Sequence, residues 1–325
     1  MIVIVIVSWN VKTFLHDCLT SLAQYPATTH AQSIVVVDNA STDGTVEMLK
    51  RDFPNVTVIA NSVNRGFTGG NNDGLAAAAN LWRDASPQTS YAMLLNPDTI
   101  IKSGSLDILL DYADTHPECG MAGPQLLYAD GSIQSSRRRF LDPRTAFFES
   151  TWLQRFAPHG LIDAFYMREK PDNTICDVDW LYGAAMLVRR STIEQVGVLD
   201  EQSFFMYSEE MDWCKRIKSA PTNPSDAHSP HWTVTYVPQA KVIHLEARSS
   251  NQVSAQRAIY FNTSKVRYIR KYFGHWKSEC LRLALLSMYL YQTGLESVKW
   301  LIGHKRPLRT ERIRAYRAVL RSGLR

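Results

Sequence analysis

The hydrophobic positions of the first hundred residues fall into short continuous runs separated by segments with helical spacing. Ile2–Val7 and Ile34–Val37 are β-branched and uninterrupted by polar residues, which is typical of strands buried on both faces of a parallel sheet. Val56–Ala60 and Ala92–Leu95 are two further runs of this kind. Strands that alternate with helices predict an α/β fold with a doubly wound sheet, whose ligands lie at the carboxyl ends of the strands.

The rest of the chain contains further helices and fewer strands. The predicted helices span Thr42–Phe53, Gly74–Arg83, Gly104–Pro117 and Ser191–Val196. Ser219–Trp232 is rich in Pro, Ser and His and is predicted to be an irregular loop. Tyr236–Pro238 and Val242–His244 are predicted closing strands, and the pattern beyond residue 255 is helical, basic and aromatic.

Composition limits the class of protein. A chain of 325 residues with 45% hydrophobic content can bury a large core. No run approaches the ~20 apolar residues of a membrane span. The Ile2–Val7 run is short and lacks a basic flank, so we expect a buried strand there rather than a signal peptide. The five cysteines are scattered and show no metal-type spacing, which favours a reducing, cytoplasmic compartment.

The net charge of +5 conceals a basic C-terminal segment. From Arg257 to Arg325 there are 16 Lys and Arg against three acids, a net of +13, so the remainder carries −8. Such a segment favours contact with an anionic surface. Leu281–Leu290, with Trp276 and Trp300 nearby, fits an amphipathic helix lying on a bilayer. The alternative is packing on the catalytic domain or on a homodimer partner. Nucleic acid is disfavoured because no recognised module accompanies the charge.

Polar residues follow the ends of the first two predicted strands. Ser8 and Trp9 come directly after the first strand, and Asp38 follows the second. A carboxylate at the end of a buried strand can hydrogen-bond a ribose hydroxyl or a base edge, so we favour ligand contact for Asp38. Asp43, five residues on, is better explained as a helix cap.

Two more segments predict a phosphate and cation site. Asn64–Asn72 is a glycine-rich loop ahead of a helix, in which Arg65 adds charge and Gly66 lets backbone amides approach phosphate. The segment lacks the glycine spacing of the fingerprint motif of dinucleotide-binding proteins. Asn96-Pro97-Asp98 ends the fourth strand, where the Asp98 carboxylate can hold a divalent cation, although a simple turn would use the same residues.

Three acids within four positions, Glu209, Glu210 and Asp212, follow an aromatic run. Acids are favoured in the first turn of a helix, and that alone can explain them. The alternative is a general base in a cleft. In a helix, residues 209 and 212 share a face while residue 210 points about 100° away. Only one of the three therefore needs to enter the cleft.

The order of these motifs is more specific than any one of them. The series is Val-Ser-Trp-Asn, Val-Val-Asp-Asn-Ala-Ser-Thr-Asp-Gly, Asn-Arg-Gly-Phe, Leu-Asn-Pro-Asp, Trp-Leu-Tyr-Gly-Ala-Ala-Met-Leu-Val-Arg-Arg and Ser-Glu-Glu-Met-Asp-Trp-Cys-Lys-Arg. It resembles the family 2 inverting glycosyltransferases over residues 1–250, above all the rhamnosyltransferase-like branch of cell-surface polysaccharide synthesis. The resemblance implies a GT-A fold, a single Rossmann-like mixed sheet flanked by helices, with a nucleotide-diphosphate sugar as donor and Mg²⁺ or Mn²⁺ as cofactor.

The resemblance also implies roles for individual residues. Donor-binding residues are Ser8, Trp9, Asp38, Arg65, Gly66, Asn96, Trp180 and Gly183. Asn96 stands where the family's Asp-x-Asp site has its first acid, and the metal ligands are Asp98 and His244. The alternative for His244 is a histidine at the edge of a strand. Glu210 replaces the usual aspartate as general base. Acceptor-binding residues are Glu209, Asp212 and Arg138, the last within the basic run Ser135–Phe140, which is otherwise a solvated charge run.

These expectations define one organisation and one function. Residues 1–250 form the catalytic domain, with a nucleotide-sugar-binding half at 1–103 and an acceptor half at 104–250. Residues 251–325 form a basic helical extension. The expected activity is inverting transfer of a sugar, rhamnose for example, to a lipid-linked glycan at the inner face of the cell membrane. The alternatives are a sugar nucleotidyltransferase and a membrane-associated scaffold with a degenerate site.

Overall fold

The computed structural model describes residues 1–246 and 254–325, without the side chain of Ser254. The described residues form two compact units. The first contains Met1–Phe140, Tyr166–Phe205 and the described residues from Glu209 onward to 246; the second contains Leu141–Phe165, Met206–Ser208 and 254–325. The expected boundary at residue 250 lies outside the described residues. The segment Leu141–Phe165, expected in the acceptor half, groups with the C-terminal helices.

The first unit is built on a mixed sheet. The strands are β1 Ile2–Ser8, β2 Gln32–Asp38, β3 Thr57–Ala60, β4 Tyr91–Leu95, β5 Thr99–Ile101, β6 Cys119–Leu127, β7 Ile133–Gln134, β8 Arg137–Arg138, β9 Cys176–Asp177, β10 Trp180–Leu181, β11 Ala185–Arg189 and β12 Thr233–His244. Among the described residues, ten strands form one sheet with the order β3-β2-β1-β4-β11-β6-β12-β5, to which β7 and β9 add at the side. Strands β8 and β10 form a separate pair.

The helices flank that sheet or form the second unit. They are α1 Lys12–Gln24, α2 Thr45–Asp52, α3 Gly66–Leu81, α4 Ser105–Thr115, α5 Pro143–Glu149, α6 Leu161–Phe165, α7 Arg190–Val196, α8 Glu209–Ser219, α9 Ser254–Phe273, α10 His275–Leu301 and α11 Arg306–Ser322. Short 3₁₀ helices span Pro87–Thr89 and Trp152–Phe156. Helices α5, α6, α9, α10 and α11 belong to the second unit.

The central strands are apolar on both faces because helices cover both faces. Ile4 and Ile6 of β1 pack with Leu15 of α1 in one buried cluster, whereas Val5 packs with Leu75 of α3 in another. Strands β3, β2, β1 and β4 are parallel, as the uninterrupted apolar runs predict. Strand β11 then runs antiparallel to β4, which makes the sheet mixed.

One boundary prediction is wrong. The Asn64–Asn72 segment is not a loop ahead of the helix, because α3 begins at Gly66 rather than at Gly74. Glycine is a poor helix former, and its presence favoured a loop. Here tertiary packing overrides that propensity: a Cβ on Gly74 would lie 2.2 Å from Cγ1 of Val5, so a small residue is required where the helix lies against β1.

The two predicted closing strands are a single strand. Strand β12 runs from Thr233 to His244 and pairs in parallel with β6, with a register shift between Val237 and Lys241. Pro238 lies in that shift, where a residue without an N–H costs no ladder hydrogen bond. The strand thus brings His244 opposite Thr99 of β5.

No helix within residues 1–246 and 254–325 combines the length and the apolar character needed to cross a bilayer.

Candidate active site

Three parallel strands end together at one edge of the first unit's sheet. Ser8 of β1 lies in register with Asp38 of β2, and β4, on the other side of β1, ends at Leu95. Asn96 follows, and its N–H donates to the carbonyl of Ala184 over 2.8 Å. The order β2-β1-β4 therefore brings Ser8, Asp38 and Asn96 to the same edge, as expected for ligands of an open α/β sheet.

Ser8 and Asp38 carry buried polar atoms that the described protein atoms leave unsatisfied. Ser8 is 0% and Asp38 2% exposed. Oδ2 of Asp38 accepts from the Ser41 N–H over 2.9 Å, whereas Oδ1 of Asp38 and Oγ of Ser8 have no hydrogen-bond partner within the described part of the chain. Buried polar atoms without partners cost free energy, so these two fit a ligand with complementary polar groups. Trp9 is half-buried beside them.

Asp43 has a different environment from Asp38. Its Oδ2 accepts from the backbone N–H of Lys12 at the start of α1, and its Oδ1 accepts from Thr45 at the start of α2. One carboxylate thus caps two helices, which agrees with the capping explanation.

Arg65 and Gly66 are tied to neighbouring protein groups. The Arg65 guanidinium forms ion pairs with Asp73 and, at 3.1 Å, with Glu201, so two acids already offset its charge. Gly66 has a φ of +72°, and a Cβ there would lie 2.3 Å from the carbonyl oxygen of Phe205. Glycine is therefore required at residue 66 for packing as well as for conformation.

Asp98 and His244 face each other in a buried position. Oδ1 of Asp98 lies 3.5 Å from Nε2 of His244, and the two residues are 7% and 2% exposed. Nδ1 of His244 lies 2.9 Å from Oε1 of Gln134, while Nε2 of Gln134 donates to Glu246 over 2.9 Å. A carboxylate only accepts hydrogen bonds, so Glu246 orients the Gln134 amide and the amide oxygen faces His244. Nδ1 of His244 then carries the hydrogen, and Nε2 is the ring nitrogen that faces Asp98.

This arrangement fits a divalent cation. A carboxylate oxygen and an imidazole lone pair 3.5 Å apart repel each other unless a proton or a cation lies close to both. Ligating histidines usually donate their other ring N–H to an oxygen acceptor, as His244 does to Gln134. Among the described residues no group of three or more His, Cys, Asp and Glu forms a complete metal site. Asp98 and His244 would hold the ion jointly with substrate phosphates, as is common for Mg²⁺.

The segment before β11 connects the sheet edge to the acidic run. Nε1 of Trp180 donates to the carbonyl of Arg139 over 2.8 Å, which joins β10 to the basic run. A Cβ built on Gly183 would lie 3.7 Å from Cγ of Glu210 and 3.7 Å from the ring of Phe67. Glycine at residue 183 therefore leaves space directly over the Glu210 side chain.

The three acids occupy the first turn of α8 and are all buried. Tyr207 and Ser208, immediately before the helix, both have left-handed φ angles, of 68° and 65°. Such angles are costly in non-glycine residues and cluster at functional sites. Asp212 is 0% exposed and accepts from Nε of Arg216 over 3.0 Å, and Arg216 also donates to the carbonyls of Val196 and Val198. This contact suits a supporting role for Asp212 better than the predicted contact with the acceptor.

Glu209 and Glu210 form a coupled carboxyl pair. Burial, followed by the charge of Glu210, raises the pKa of Glu209 well above its usual range, and a hydrogen bond links the two side chains. Two carboxylates this close cannot both ionise easily, so one proton is shared. Gly183 lies next to the Glu210 member of this pair. The sequence indicated the acids but not their pairing.

The basic run divides into residues with separate roles. Arg137 is 4% exposed and donates to Asp172 over 2.5 Å and to the carbonyl of Pro171 over 2.9 Å. Arg138 is half-buried and lies 4.4 Å over the ring of Tyr166. Arg139 pairs with Asp179 at 3.7 Å. Arg137 also lies over a ring, that of Tyr236 at 5.0 Å, but it is buried and its guanidinium donates to protein carbonyls. The half-buried guanidinium of Arg138 is better suited to binding phosphate.

Sequence reasoning missed Gln134 and Glu246. Both lie far along the chain from Asp98, and neither falls within a recognised motif. They become visible only because the pairing of β7 with β6, and of β6 with β12, brings Gln134 beside His244.

Comparison with known proteins gives consistent results. The model of the family "Glycosyl transferase family 2" matches residues 3–191. An N-acetylglucosaminyl-diphospho-decaprenol L-rhamnosyltransferase of Mycobacterium tuberculosis is 30% identical over 278 residues, which are 85% of this chain and 86% of that protein. A low-salt glycan biosynthesis hexosyltransferase, Agl10, of Haloferax volcanii is 28% identical over 184 residues, 57% of this chain and 52% of that protein.

Two solved structures share the fold. The mannosyltransferase PcManGT of Pyrobaculum calidifontis, in complex with GDP-Man and Mn²⁺, has a TM-score of 0.53 at 14% identity. The matched region covers 99% of this chain and 84% of the PcManGT chain. GalNAc-T7 with UDP, GalNAc and Mn²⁺ has a TM-score of 0.56 at 14% identity and covers 97% of this chain. This chain spans about half, 54%, of GalNAc-T7. At this identity the likeness concerns the fold alone, and it confirms the expected GT-A architecture with a helical C-terminal region.

Proposed function

Because this chain belongs to glycosyl transferase family 2, we propose that it transfers a sugar, rhamnose for example, from a nucleotide-diphosphate donor to a lipid-linked glycan with inversion at the anomeric carbon. The acceptor class is taken from the M. tuberculosis relative, whose name specifies a polyprenyl-diphosphate sugar. Family membership also favours glycosyl transfer over the nucleotidyltransferase alternative.

The observation that carries the mechanism is the Glu209–Glu210 pair beneath Gly183. Inversion in one displacement requires one general base on the face of the sugar opposite the leaving group. Glu209, protonated, donates a hydrogen bond to Glu210 and holds it as the carboxylate. Glu210 takes the proton of the acceptor hydroxyl while the acceptor oxygen bonds to the anomeric carbon. The bond from that carbon to the donor's diphosphate breaks, and the nucleoside diphosphate leaves.

The leaving diphosphate requires compensation of its charge. Asp98 and His244 would hold a Mg²⁺ or Mn²⁺ ion, which supplies Lewis-acid stabilisation of the diphosphate when bound. The solved structures of PcManGT and GalNAc-T7 both carry Mn²⁺, which supports a divalent ion here. Gln134 keeps the Nε2 lone pair of His244 directed at that position.

The remaining residues bind the two substrates. Ser8, Trp9 and Asp38 contact the nucleoside, and Asn96, Gly66 and Arg65 border the donor phosphates. Trp180 and Gly183 form the floor between donor sugar and acceptor. Arg138 binds the diphosphate of the acceptor, with Glu209 next to the attacking hydroxyl.

The acceptor class suggests where the enzyme works. A polyprenyl diphosphate is confined to a bilayer, so we propose that the enzyme is peripheral on the inner, cytoplasmic face of the cell membrane. The net charge of +13 over residues 257–325 supports contact with anionic lipid headgroups.

The experiment is a direct assay of nucleoside diphosphate release. The wild-type chain, a panel of nucleotide-diphosphate sugars and a short-chain, water-soluble polyprenyl-diphosphate sugar are combined with and without Mn²⁺. One donor is expected to give release that requires acceptor and Mn²⁺. Glu210→Gln is expected to reduce kcat by about 10³-fold while donor affinity is retained, because the side chain keeps its size and loses its basicity.

Glu194→Gln is the matched control, since Glu194 is a half-exposed glutamate paired with Arg190 on α7. It should behave as wild type. Transfer by Glu210→Gln near the wild-type rate would remove Glu210 as the base. Absence of release from every donor in the panel would instead favour the degenerate scaffold.

A further inference from the structure

The second unit has an unusual distribution of charged and apolar side chains along α10. Arg282 and Glu296 of this helix are buried, Arg282 donating to the carbonyl of Gly323 over 3.0 Å and Glu296 accepting from Arg309 over 2.7 Å. Leu290 is 65% exposed, and Leu301 is 68% exposed. In a water-soluble bundle the charged side chains usually face water and the leucines face the core. Helix α10 departs from that distribution, although its Leu281 and Leu285 are buried as usual.

One face of α10 is exposed from end to end. Its positions recur at spacings of three and four residues, and none of them is charged: Trp276, Cys280, Leu283, Ser287, Leu290, Gly294, Val298 and Leu301. The exposed Lys277 lies about 100° away from this face. Tyr291, Leu295 and Ile302 are exposed beside them. We call this set the outer face of α10. The helix has 27 residues, so this uncharged face is about 40 Å long.

Aromatic residues of the same unit extend the outer face. The Trp152 ring lies 6.1 Å from that of Tyr291 and 6.3 Å from that of Phe156, which is 62% exposed. The Arg155 guanidinium lies 5.2 Å over the Trp152 ring and 4.8 Å over the Phe156 ring. Exposed aromatic rings accompanied by arginine are characteristic of side chains placed at the headgroup level of a bilayer.

We propose that the outer face of α10, together with Trp152 and Phe156, binds the headgroup region of an anionic bilayer, with the axis of α10 parallel to the membrane plane. This proposal rests on the proposed function, whose acceptor is lipid-linked. An amphipathic helix binds in this way through its apolar face and through attraction between basic residues and anionic lipids. The neighbouring helix α11 exposes Arg314, Arg317 and Arg321 at spacings of three and four residues, and the exposed Arg325 follows the helix.

Charge decides between a bilayer and a second copy of the chain. Residues 257–325 carry a net charge of +13, so two copies meeting through this unit would repel each other. An anionic membrane surface attracts the same charge, at roughly 1 kcal/mol for each basic residue near the surface. The uncharged outer face and the basic residues around it are therefore complementary to lipid.

The test is co-sedimentation of the full chain with vesicles of phosphatidylcholine alone or mixed with phosphatidylglycerol. The wild-type chain is expected to bind the mixed vesicles and to lose affinity with added salt. The double variant Leu290→Glu/Leu301→Glu, at exposed positions that leave the bundle intact, is expected to lose at least about tenfold in affinity. The matched control is Ile175→Glu/Val198→Glu, which changes two exposed apolar residues of the first unit and should bind as wild type.

Each other outcome overturns the proposal. Wild-type protein that does not bind mixed vesicles, or a Leu290→Glu/Leu301→Glu variant that binds them equally well, excludes this surface. Light scattering that shows a wild-type dimer, dissociated by the double variant while vesicle binding is unchanged, assigns the outer face to a second copy. The proposed function is judged separately, because release with the short-chain acceptor needs no vesicles and should be the same for the wild-type chain and the double variant.

Discussion

Nδ1 of His244 lies 2.9 Å from Oε1 of Gln134, and this contact determines which nitrogen of the imidazole faces Asp98. The side-chain amide of Gln134 is held in this orientation because its Nε2 donates to the Glu246 carboxylate. A residue that touches neither substrate nor the proposed cation thus orients one of the cation's ligands. Partners of this kind typically contribute a factor of about 10–100 in metal affinity.

Gln134→Leu is therefore expected to weaken Mn²⁺ binding by at least about tenfold, since the imidazole loses its orientation while Asp98 and His244 both remain. Titration of Mn²⁺ by electron paramagnetic resonance, in the presence of a nucleoside diphosphate, measures the affinity directly. Gln125→Leu is the control, because Gln125 is an equally buried glutamine that bonds Tyr236 instead. Equal Mn²⁺ affinity in the two variants would show that Gln134 has no positioning role.

The raised pKa of Glu209 predicts a stability that depends on pH. An unfolded glutamate ionises near pH 4.3, whereas burial and the charge of Glu210 keep Glu209 protonated in the folded chain to higher pH. Above pH ~4.3 the unfolded state thus binds fewer protons than the folded state, and the free energy of unfolding falls as pH rises toward the folded pKa.

Glu209→Gln should remove this loss of stability at higher pH, because a glutamine amide donates the same hydrogen bond to Glu210 without ionising. We expect equal Tm values for variant and wild type near pH 4, and a higher Tm for the variant at pH 8. Calorimetry over that range measures the difference. Glu201→Gln, at an exposed position, should not change the dependence on pH. A Tm difference that is constant with pH would mean that Glu209 ionises normally.

Two adjacent arginines, Arg137 and Arg138, are expected to respond differently to substitution by alanine. Arg137→Ala leaves three partly buried hydrogen bonds unmade, one of them to the half-exposed Asp172, at a cost of about 2–3 kcal/mol in the free energy of unfolding. Arg138→Ala removes a stacking contact with Tyr166 worth about 1 kcal/mol.

Of the two substitutions, Arg138→Ala should have the larger direct effect on binding of the acceptor. For Arg138→Ala we expect the KM for the diphosphate-linked acceptor to rise about tenfold with kcat nearly unchanged, because a charge-assisted contact of about 1.4 kcal/mol corresponds to that factor. Urea unfolding and initial rates at varied acceptor concentration measure the two effects. An unchanged KM would remove Arg138 from the acceptor site.

The sequence predicts the four parallel strands β1 to β4 and the strand β12, but not β6 or β11, and it predicts only part of the site. The strands β1, β2 and β4 were predictable because they are buried on both faces, so their composition alone identifies them. The start of α3 was not predictable from the sequence, because the contact with Val5, and not helix propensity, requires glycine at residue 74. The pairing of Glu209 with Glu210 and the link from Glu246 to His244 are interactions between side chains, which spacing along the chain does not determine.

Asp38 and Asp43 allow a final prediction, because they are neighbouring carboxylates with different environments. Asp38 leaves Oδ1 without a hydrogen-bond partner among the described residues, whereas Asp43 uses both oxygens to cap α1 and α2. Asp38→Asn is expected to weaken nucleoside diphosphate binding by about 10–100-fold, as for a lost hydrogen bond to a charged group, with little change in Tm. Asp43→Asn is expected to lower the free energy of unfolding by about 1 kcal/mol and leave the affinity unchanged. Isothermal titration calorimetry and thermal unfolding separate the two effects. Equal nucleotide affinity in both variants would mean that Asp38 does not contact the donor.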